Sequence, residues 1–241
     1  MSDNNHMPLA INHLSVDCVV LGFDGENMKC LLLRRTGEEN GEVFHDMKLP
    51  GSLIYQDEDL DQAAKRVLGE LTGLRNVQLN QFRAYGSKDR TRNPKDVHWL
   101  ERAQKEKVER IVTVAYIAMI KINRALEPVD GSDVCWVDCD KVPTLAFDHN
   151  VILSDALGYM RLLVEMEPSL MFDLLPRKFT AAQLRRIYGI MTGEVMDPRN
   201  FYKKLSVMPY VVPMEEKEKN VAHRAARFFR FDRSIYKKTR L

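Results

Sequence analysis

Between residues 199 and 204 lie four side chains able to read or grip a nucleic acid. Arg199 and Asn200 can each bond bidentately to a base edge, arginine to guanine and asparagine to adenine, while Lys203 and Lys204 suit phosphates. The segment DPRNFYKKLSVM that carries them predicts a helix, with Asp197 as its cap and Pro198 at its first position. Phe201 and Leu205 stand four residues apart, so they face a core together and leave the polar four on the outside. Downstream, His223, Arg224 and Arg227, with Lys217 and Lys219, form a second basic group suited to backbone or minor-groove contact. Thr180, at the cap of the preceding predicted helix, completes the expected DNA-contact set.

Charge along the chain supports this reading. From Pro176 to Leu241 there are 16 Lys and Arg against six Asp and Glu, a balance of +10. The first 175 residues carry 20 against 28, or −8, so the overall +2 conceals an acidic front and a basic back. Such asymmetry predicts two units with different partners, the basic one a nucleic-acid binder. An RNA or an acidic protein would satisfy the charge as well; protection of one discrete palindrome is what singles out duplex DNA.

The elements that must position these residues follow from periodicity and caps. Runs at 14–22 and 28–35 read as strands around the turn FDGEN. A helix begins within Asp57–Asp61 and closes at Gly73, and strand-like runs follow at 77–85, 108–122 and 134–137. Ser154 is the expected cap of a helix through DALGYMRLLVEM, which Pro168 ends. Thr180 caps AAQLRRIYGIMTG, which stops at Gly193; helix, turn, helix, strand, charged loop and strand then give the winged helix-turn-helix order. The expected boundary lies at 168/169, giving units 1–168 and 169–241 in an α+β chain. The charged stretch 88–107 has Val97, Leu100 and Ala103 at helical spacing and predicts a solvated surface helix, the alternative being a lid over a site.

Polar residues on or beside the predicted strands of the front unit supply candidate effector contacts: Asp17, Arg34, Arg35, Glu109, Asp148 and His149. For His149 a structural hydrogen bond is the commoner alternative. Cys18 and Cys30 sit in apolar runs, and Cys135 and Cys139 lack the partners of a zinc site, so reduced thiols are expected and no metal or cofactor. No apolar run approaches the ~20 residues of a bilayer span, and the N-terminal residues lack a secretory pattern. A cytoplasmic protein without a membrane partner is the default expectation.

One segment ties these features to a known architecture. LPGSLIYQDEDLDQAAKRVLGELTGL, residues 49–74, resembles the Nudix hydrolase box, which runs glycine, five residues, glutamate, seven residues and a glutamate-rich helix. In that frame the glycine falls on Ser52, the first glutamate on Glu58 and the arginine on Arg66. The three helical glutamates fall on Val67, Glu70 and Leu71. Residues 67, 70 and 71 share one helical face. In active members that face presents carboxylates to Mg²⁺, a hard ion that valine and leucine cannot hold. The resemblance therefore implies a Nudix-like α/β/α sandwich that has lost diphosphate hydrolysis, with Glu58 and Arg66 kept as an ion pair. The alternative is a Mg-dependent hydrolase of ADP-ribose or another nucleoside diphosphate compound, its metal held by Glu58, Glu70, Asp57 or Glu109.

With its basic C-terminal unit, nearly the whole chain resembles the Nudix-related transcriptional regulators, which join an inactive Nudix-like domain to a winged helix. AAKRVLGELTGL and AFDH look closest to the arabinose-responsive repressors, and the ADP-ribose-responsive repressors of NAD metabolism are also similar. The resemblance implies a homodimer on a near-palindromic operator, its two recognition helices in successive major grooves. It also implies a small-molecule effector in the front domain, with an arabinose-like sugar first and ADP-ribose second.

Overall fold

The computed structural model describes residues 13–122 apart from 106 and 109, 134–219 and 225–239. The front unit runs β1 (His13–Phe23), β2 (Met28–Glu39), β3 (Glu42–Lys48), β4 (Gly51–Leu53), α1 (Leu60–Thr72), β5 (Asn80–Tyr85), α2 (Pro94–Gln104), β6 (Ile111–Lys121), β7 (Val134–Asp138) and α3 (His149–Met166). Its seven strands form one mixed sheet with the main order β3-β2-β1-β6-β5; β4 pairs with β1 and β7 with β2. Only the β1–β6 pairing among these is parallel.

Strand β1 is apolar along nearly its whole length because both of its faces are covered. Val16, Cys18 and Val20 pack with Ala63, Ala64, Val67 and Leu68 of α1. Val19, Leu21 and Phe23 point the other way, into a core shared with Ile152, Ala156 and Met160 of α3. The result is the expected α/β/α sandwich. None of the four cysteines is joined in a disulfide.

The back unit begins with α4 (Leu170–Leu174), β8 (Phe179–Thr180), α5 (Ala181–Thr192) and α6 (Pro198–Ser206), followed by β9 (Val211–Lys217), β10 (Arg227–Phe231) and α7 (Arg233–Thr239). A three-stranded sheet, β8-β10-β9, lies beside the α5–α6 pair, which is the winged-helix arrangement. Thr180 and Gln183 form a capping box at the start of α5, and Gly193 ends it with φ at +74°. The sheet-side core continues without a break through Met171 and Phe172 to Leu184, Ile187, Phe201 and Leu205. Arg186 also donates to the Glu26 carbonyl at 2.8 Å, tying α5 to the β1–β2 turn. The two units are thus packed on one another.

Several expected boundaries shift. The helix assigned to Ser154 starts at His149, because Ile152 and Leu153 already face the sheet and extend the apolar stripe back by a turn. Strands begin at Asn80 and Ile111 rather than 77 and 108. β3, β4, β8, α4 and α7 have no counterpart among the sequence-based elements.

Gly51 shows how tightly β4 lies against β1, where it pairs with Asp17. A Cβ there would collide with Asp17 Oδ1 and come within 2.9 Å of the Val16 carbonyl oxygen. Gly51→Ala should therefore lower unfolding free energy by about 1–3 kcal/mol, measured by urea denaturation. A variant as stable as the parent would show that β4 has room to move.

Candidate functional site

Where α1, α2 and the start of α3 converge at one end of the sheet, they leave a cavity of about 210 Å³. Its chemistry comes from Asp17, Lys48, Arg90, Trp99, Phe147 and His149, while Ser52 and Leu71 close the side toward α1.

The polar groups form a connected cluster. The Arg90 side chain is 3% exposed. Its Nη2 lies 3.3 Å from Asp17 Oδ2 and 3.0 Å from Asp148 Oδ1, and its Nε donates to Asp148 Oδ2 at 3.2 Å. His149 Nδ1 accepts the Leu49 backbone N–H at 3.0 Å, leaving its proton on Nε2, 3.4 Å from Asp17 Oδ1. Burial pushes the His149 imidazole down to about 4, with the Asp17 carboxylate opposing it only in part. Burial alone would raise the Asp17 carboxyl, but His149 and Arg90 hold it below its ordinary value. At neutral pH the cluster therefore holds a neutral imidazole and an ionised aspartate.

Lys48 is the second cation. Its Nζ donates to the carbonyls of Leu49 at 3.3 Å and Gly51 at 2.9 Å, and burial lowers its pKa to about 8 although Asp17 opposes the shift. One wall of the pocket is helix α2. Arg35 fastens it to the sheet: Nε and Nη2 reach the two Asp46 oxygens at 2.7 Å, and Nη2 reaches Asp96 Oδ1 at 2.5 Å. The Arg35 guanidinium lies among the rings of Phe44, Trp99 and Phe147, at 5.2, 5.0 and 5.6 Å from their centroids.

Of the six expected effector contacts, Asp17 and His149 line the cavity and Asp148 joins them through Arg90. Arg35 does not line it; its Nε and Nη2 bond Asp46 of β3 and Asp96 of α2. Arg34 is exposed, since strand alternation turns it away from buried Arg35. Glu109 lies outside the described residues. Lys48, Arg90, Trp99 and Phe147 were not anticipated. Three of these four signals were present, in the lysine before LPGS and in the Arg90 and Trp99 of a stretch read as a solvated helix. That reading of 88–107 needs correction: Leu100 and Ala103 line the pocket, and Asp96 is buried.

The helical positions aligned with metal-binding glutamates do not fit Mg²⁺. Val67 is fully buried among the sheet residues under α1, Leu71 faces the cavity, and only Glu70 offers oxygen. Among the described residues, no group of three or more His, Cys, Asp or Glu is placed to hold an ion. Glu58 instead accepts from Arg66 Nε at 2.8 Å and Nη2 at 2.5 Å, while Arg66 also reaches the Leu53 carbonyl at 3.0 Å and Glu70 at 3.1 Å. The pair fastens the loop after β4 to α1, as expected for a structural use.

On the winged helix, Asp197 caps α6 by accepting from the Arg199 N–H at 2.8 Å and the Asn200 N–H at 3.4 Å. Phe201 and Leu205 are buried, and Arg199, Asn200 and Lys203 are exposed. Lys204 is half-buried, bonded to the Tyr188 hydroxyl and seated over its ring. Thr180 is a correction: it is buried and its hydroxyl is committed to the Gln183 N–H, so it caps α5 and has no surface to offer DNA. Arg227 is exposed on β10. His223 and Arg224 lie outside the described residues.

Residues 11–156 match the family model described as NUDIX domain. The chain belongs to the Nudix family. Residues 171–231 match a second model, described as NrtR DNA-binding winged helix domain. This Nudix-winged-helix chain is 26% identical over 223 residues to the "ADPR responsive transcriptional repressor NtrR" of Acinetobacter baylyi, covering 90% of the chain and 81% of that protein. Its fold resembles Shewanella oneidensis NrtR, crystallised with a 27mer DNA, at a TM-score of 0.62, 23% identity and coverage of 91% and 93% of the two chains. A MutT/nudix family protein from Enterococcus faecalis gives a TM-score of 0.60 at 21% identity, with 95% and 91% covered. Behind its Nudix domain the chain thus carries a segment that matches a DNA-binding winged helix.

His149 carries a pH consequence. Its folded value near 4 lies below the ordinary 6.5, so between these limits the unfolded chain holds a proton that the folded chain lacks. Stability should therefore fall as pH drops from about 6.5 toward 4, with His149 contributing about 2–3 kcal/mol of the loss by pH 4.5. Urea denaturation at pH 7.5 and 4.5 should show a smaller difference for His149→Gln than for the parent. An equal difference would place the titration elsewhere.

Proposed function

We propose that the protein is a transcriptional repressor whose Nudix domain binds ADP-ribose without hydrolysing it, and whose α6 reads duplex DNA. The observation that carries this reading is the pairing of two features in one chain. A carboxylate-poor Nudix helix leaves little to catalyse with, and an exposed, capped α6 presents Arg199, Asn200 and Lys203 to a groove. Arg227 and Lys204 add to the basic surface, Lys204 nearer to a buttress for Tyr188, and His223 and Arg224 are assigned to DNA on their basic side chains in the sequence alone. The repressor works in the cytoplasm as a homodimer on a near-palindromic operator.

Effector identity rests on the relative and on pocket chemistry. Sequence features alone put an arabinose-like sugar ahead of ADP-ribose; the A. baylyi repressor that aligns along most of the chain is named for the latter. Two buried cations, Arg90 and Lys48, suit a diphosphate, Trp99 and Phe147 offer ring faces, and Asp17 can accept from a ribose hydroxyl. A residual hydrolase would need a metal site that Val67 and Leu71 have filled.

Duplexes selected from a random pool should yield one inverted-repeat site. On it Arg199→Ala should cost about 1–3 kcal/mol while leaving random-DNA affinity nearly unchanged. Equal losses on both would reduce Arg199 to a phosphate contact. In a parallel melting assay ADP-ribose should raise Tm whereas L-arabinose should not, with ADP-ribose recovered intact after incubation with Mg²⁺. Stabilisation by arabinose alone, or release of AMP, would overturn the effector assignment or the non-catalytic reading respectively.

A further inference from the structure

We propose that Arg90 is a latch: it holds the start of α3 through Asp148 when the pocket is empty, and an anionic effector that claims its guanidinium frees α3 to reset the winged helix. This rests on the pocket assignment above and adds the route by which occupancy reaches DNA.

The first observation is a helix start that is not capped by its own cap residue. Asp148 occupies the N-cap of α3, yet its side chain makes no capping hydrogen bond. Both its oxygens turn to Arg90, at 3.0 and 3.2 Å. Aspartate is among the best N-cap residues, so a carboxylate diverted in this way has an alternative partner in the N–H groups of the first helical turn, two of which now bond the Asp148 carbonyl. Two arrangements of nearly equal quality are the requirement for a switch.

The second observation is strain beside it. Phe147, immediately before Asp148, has φ at +55°, a conformation unfavourable for a bulky side chain. It is held there by Asp96 of α2, whose Oδ2 accepts the Phe147 N–H at 3.0 Å while its Oδ1 takes Arg35. The segment carrying Arg90 and α2 therefore grips the α3 start at two successive residues, one through a side chain and one through the backbone.

The third is size. A cavity of about 210 Å³ is smaller than the ~300–1,000 Å³ of typical small-molecule sites. It takes a phosphate or a ribose, and an ADP-ribose whose remainder extends through the open side moves α2 as it seats. That movement acts on the two contacts that hold Phe147 and Asp148.

The fourth is where α3 leads. Its buried Ala156, Met160 and Val164 belong to one core with Leu184, Ile187 and Met191 of α5 and with Phe201 and Leu205 of α6. α3 also packs directly on α4 and α5. Close-packed interiors pass displacements on rather than absorbing them, so a changed α3 start alters the seating of α5 and, with it, α6.

The experiment uses full-length Asp148→Asn, nearly isosteric and able to cap a helix, together with Arg90→Ala, and checks each fold by its melting curve. Operator affinity is measured on the selected inverted repeat without and with saturating ADP-ribose, and ADP-ribose affinity by calorimetry. Without effector, each variant should shift operator affinity by about 5–150-fold, in the direction in which ADP-ribose shifts the parent. The double variant should add less than twofold to the larger single effect. Asp148→Asn, whose Arg90 is already released, should bind ADP-ribose more tightly than the parent while its operator affinity no longer responds; Arg90→Ala should bind it at least tenfold more weakly. Parental operator affinity in both single variants, or a full effector response in Asp148→Asn, would overturn the latch. If the parent ignores ADP-ribose, the effector assignment fails by itself, and the effector-free operator affinities still decide the latch.

Discussion

A guanidinium buried between two carboxylates ties together three parts of this molecule. Arg90 joins Asp17 on the central strand to Asp148 at the start of α3, and it comes from the segment leading into α2. Desolvating ions costs several kcal/mol each, so such a group is tolerated only where its partners are fixed and well aligned. Gly51 leaves space for the Asp17 carboxylate, and His149 contacts that carboxylate while accepting the Leu49 N–H. Arg35, with Asp46 and Asp96, supplies an independent ionic anchor for α2. The pocket walls, the placement of α2 and the entry into α3 all follow from satisfying these charges.

The other determining constraint is apolar. On α1 the turn that would face a metal has been drawn into the core at Val67 and turned to hydrocarbon at Leu71, and Glu70, the carboxylate kept among those three positions, pairs with Arg66. What the Nudix scaffold keeps is its loop geometry, through Glu58 and Arg66, and its pocket. The winged helix is docked on the same core, so the Nudix domain and α6 share packing from β1 through α3. Recognition fits this arrangement better than turnover does.

Much of this was legible in the chain itself. Caps and terminators reported their helices faithfully at Gly73, Thr180, Gly193 and Asp197, because these signals are local and chemical. The apolar runs at 14–22 and 108–122 marked two strands, β1 and β6, though not their parallel pairing. Less visible were the short elements β4 and β8, whose pairing depends on partners distant in sequence. The start of α3 was misplaced at Ser154, since a serine inside a helix looks identical in sequence to one that caps it. Two site residues misled in opposite ways. Arg35 looked like a ligand contact and is an anchor; Arg90 looked like one solvated charge among many and is buried. Burial of a charge depends on finding Asp17 and Asp148, 73 and 58 residues away, and no local pattern records that.

If the pocket and the winged helix are coupled through a shared core, linkage makes the coupling reciprocal. The most direct test is the Kd of ADP-ribose for the full-length protein by calorimetry, alone and saturated with its selected operator duplex. A change of at least about fivefold is predicted, with the nucleotide unaltered at the end of the titration. Identical affinities in the two titrations, or a nucleotide found cleaved, would contradict the account.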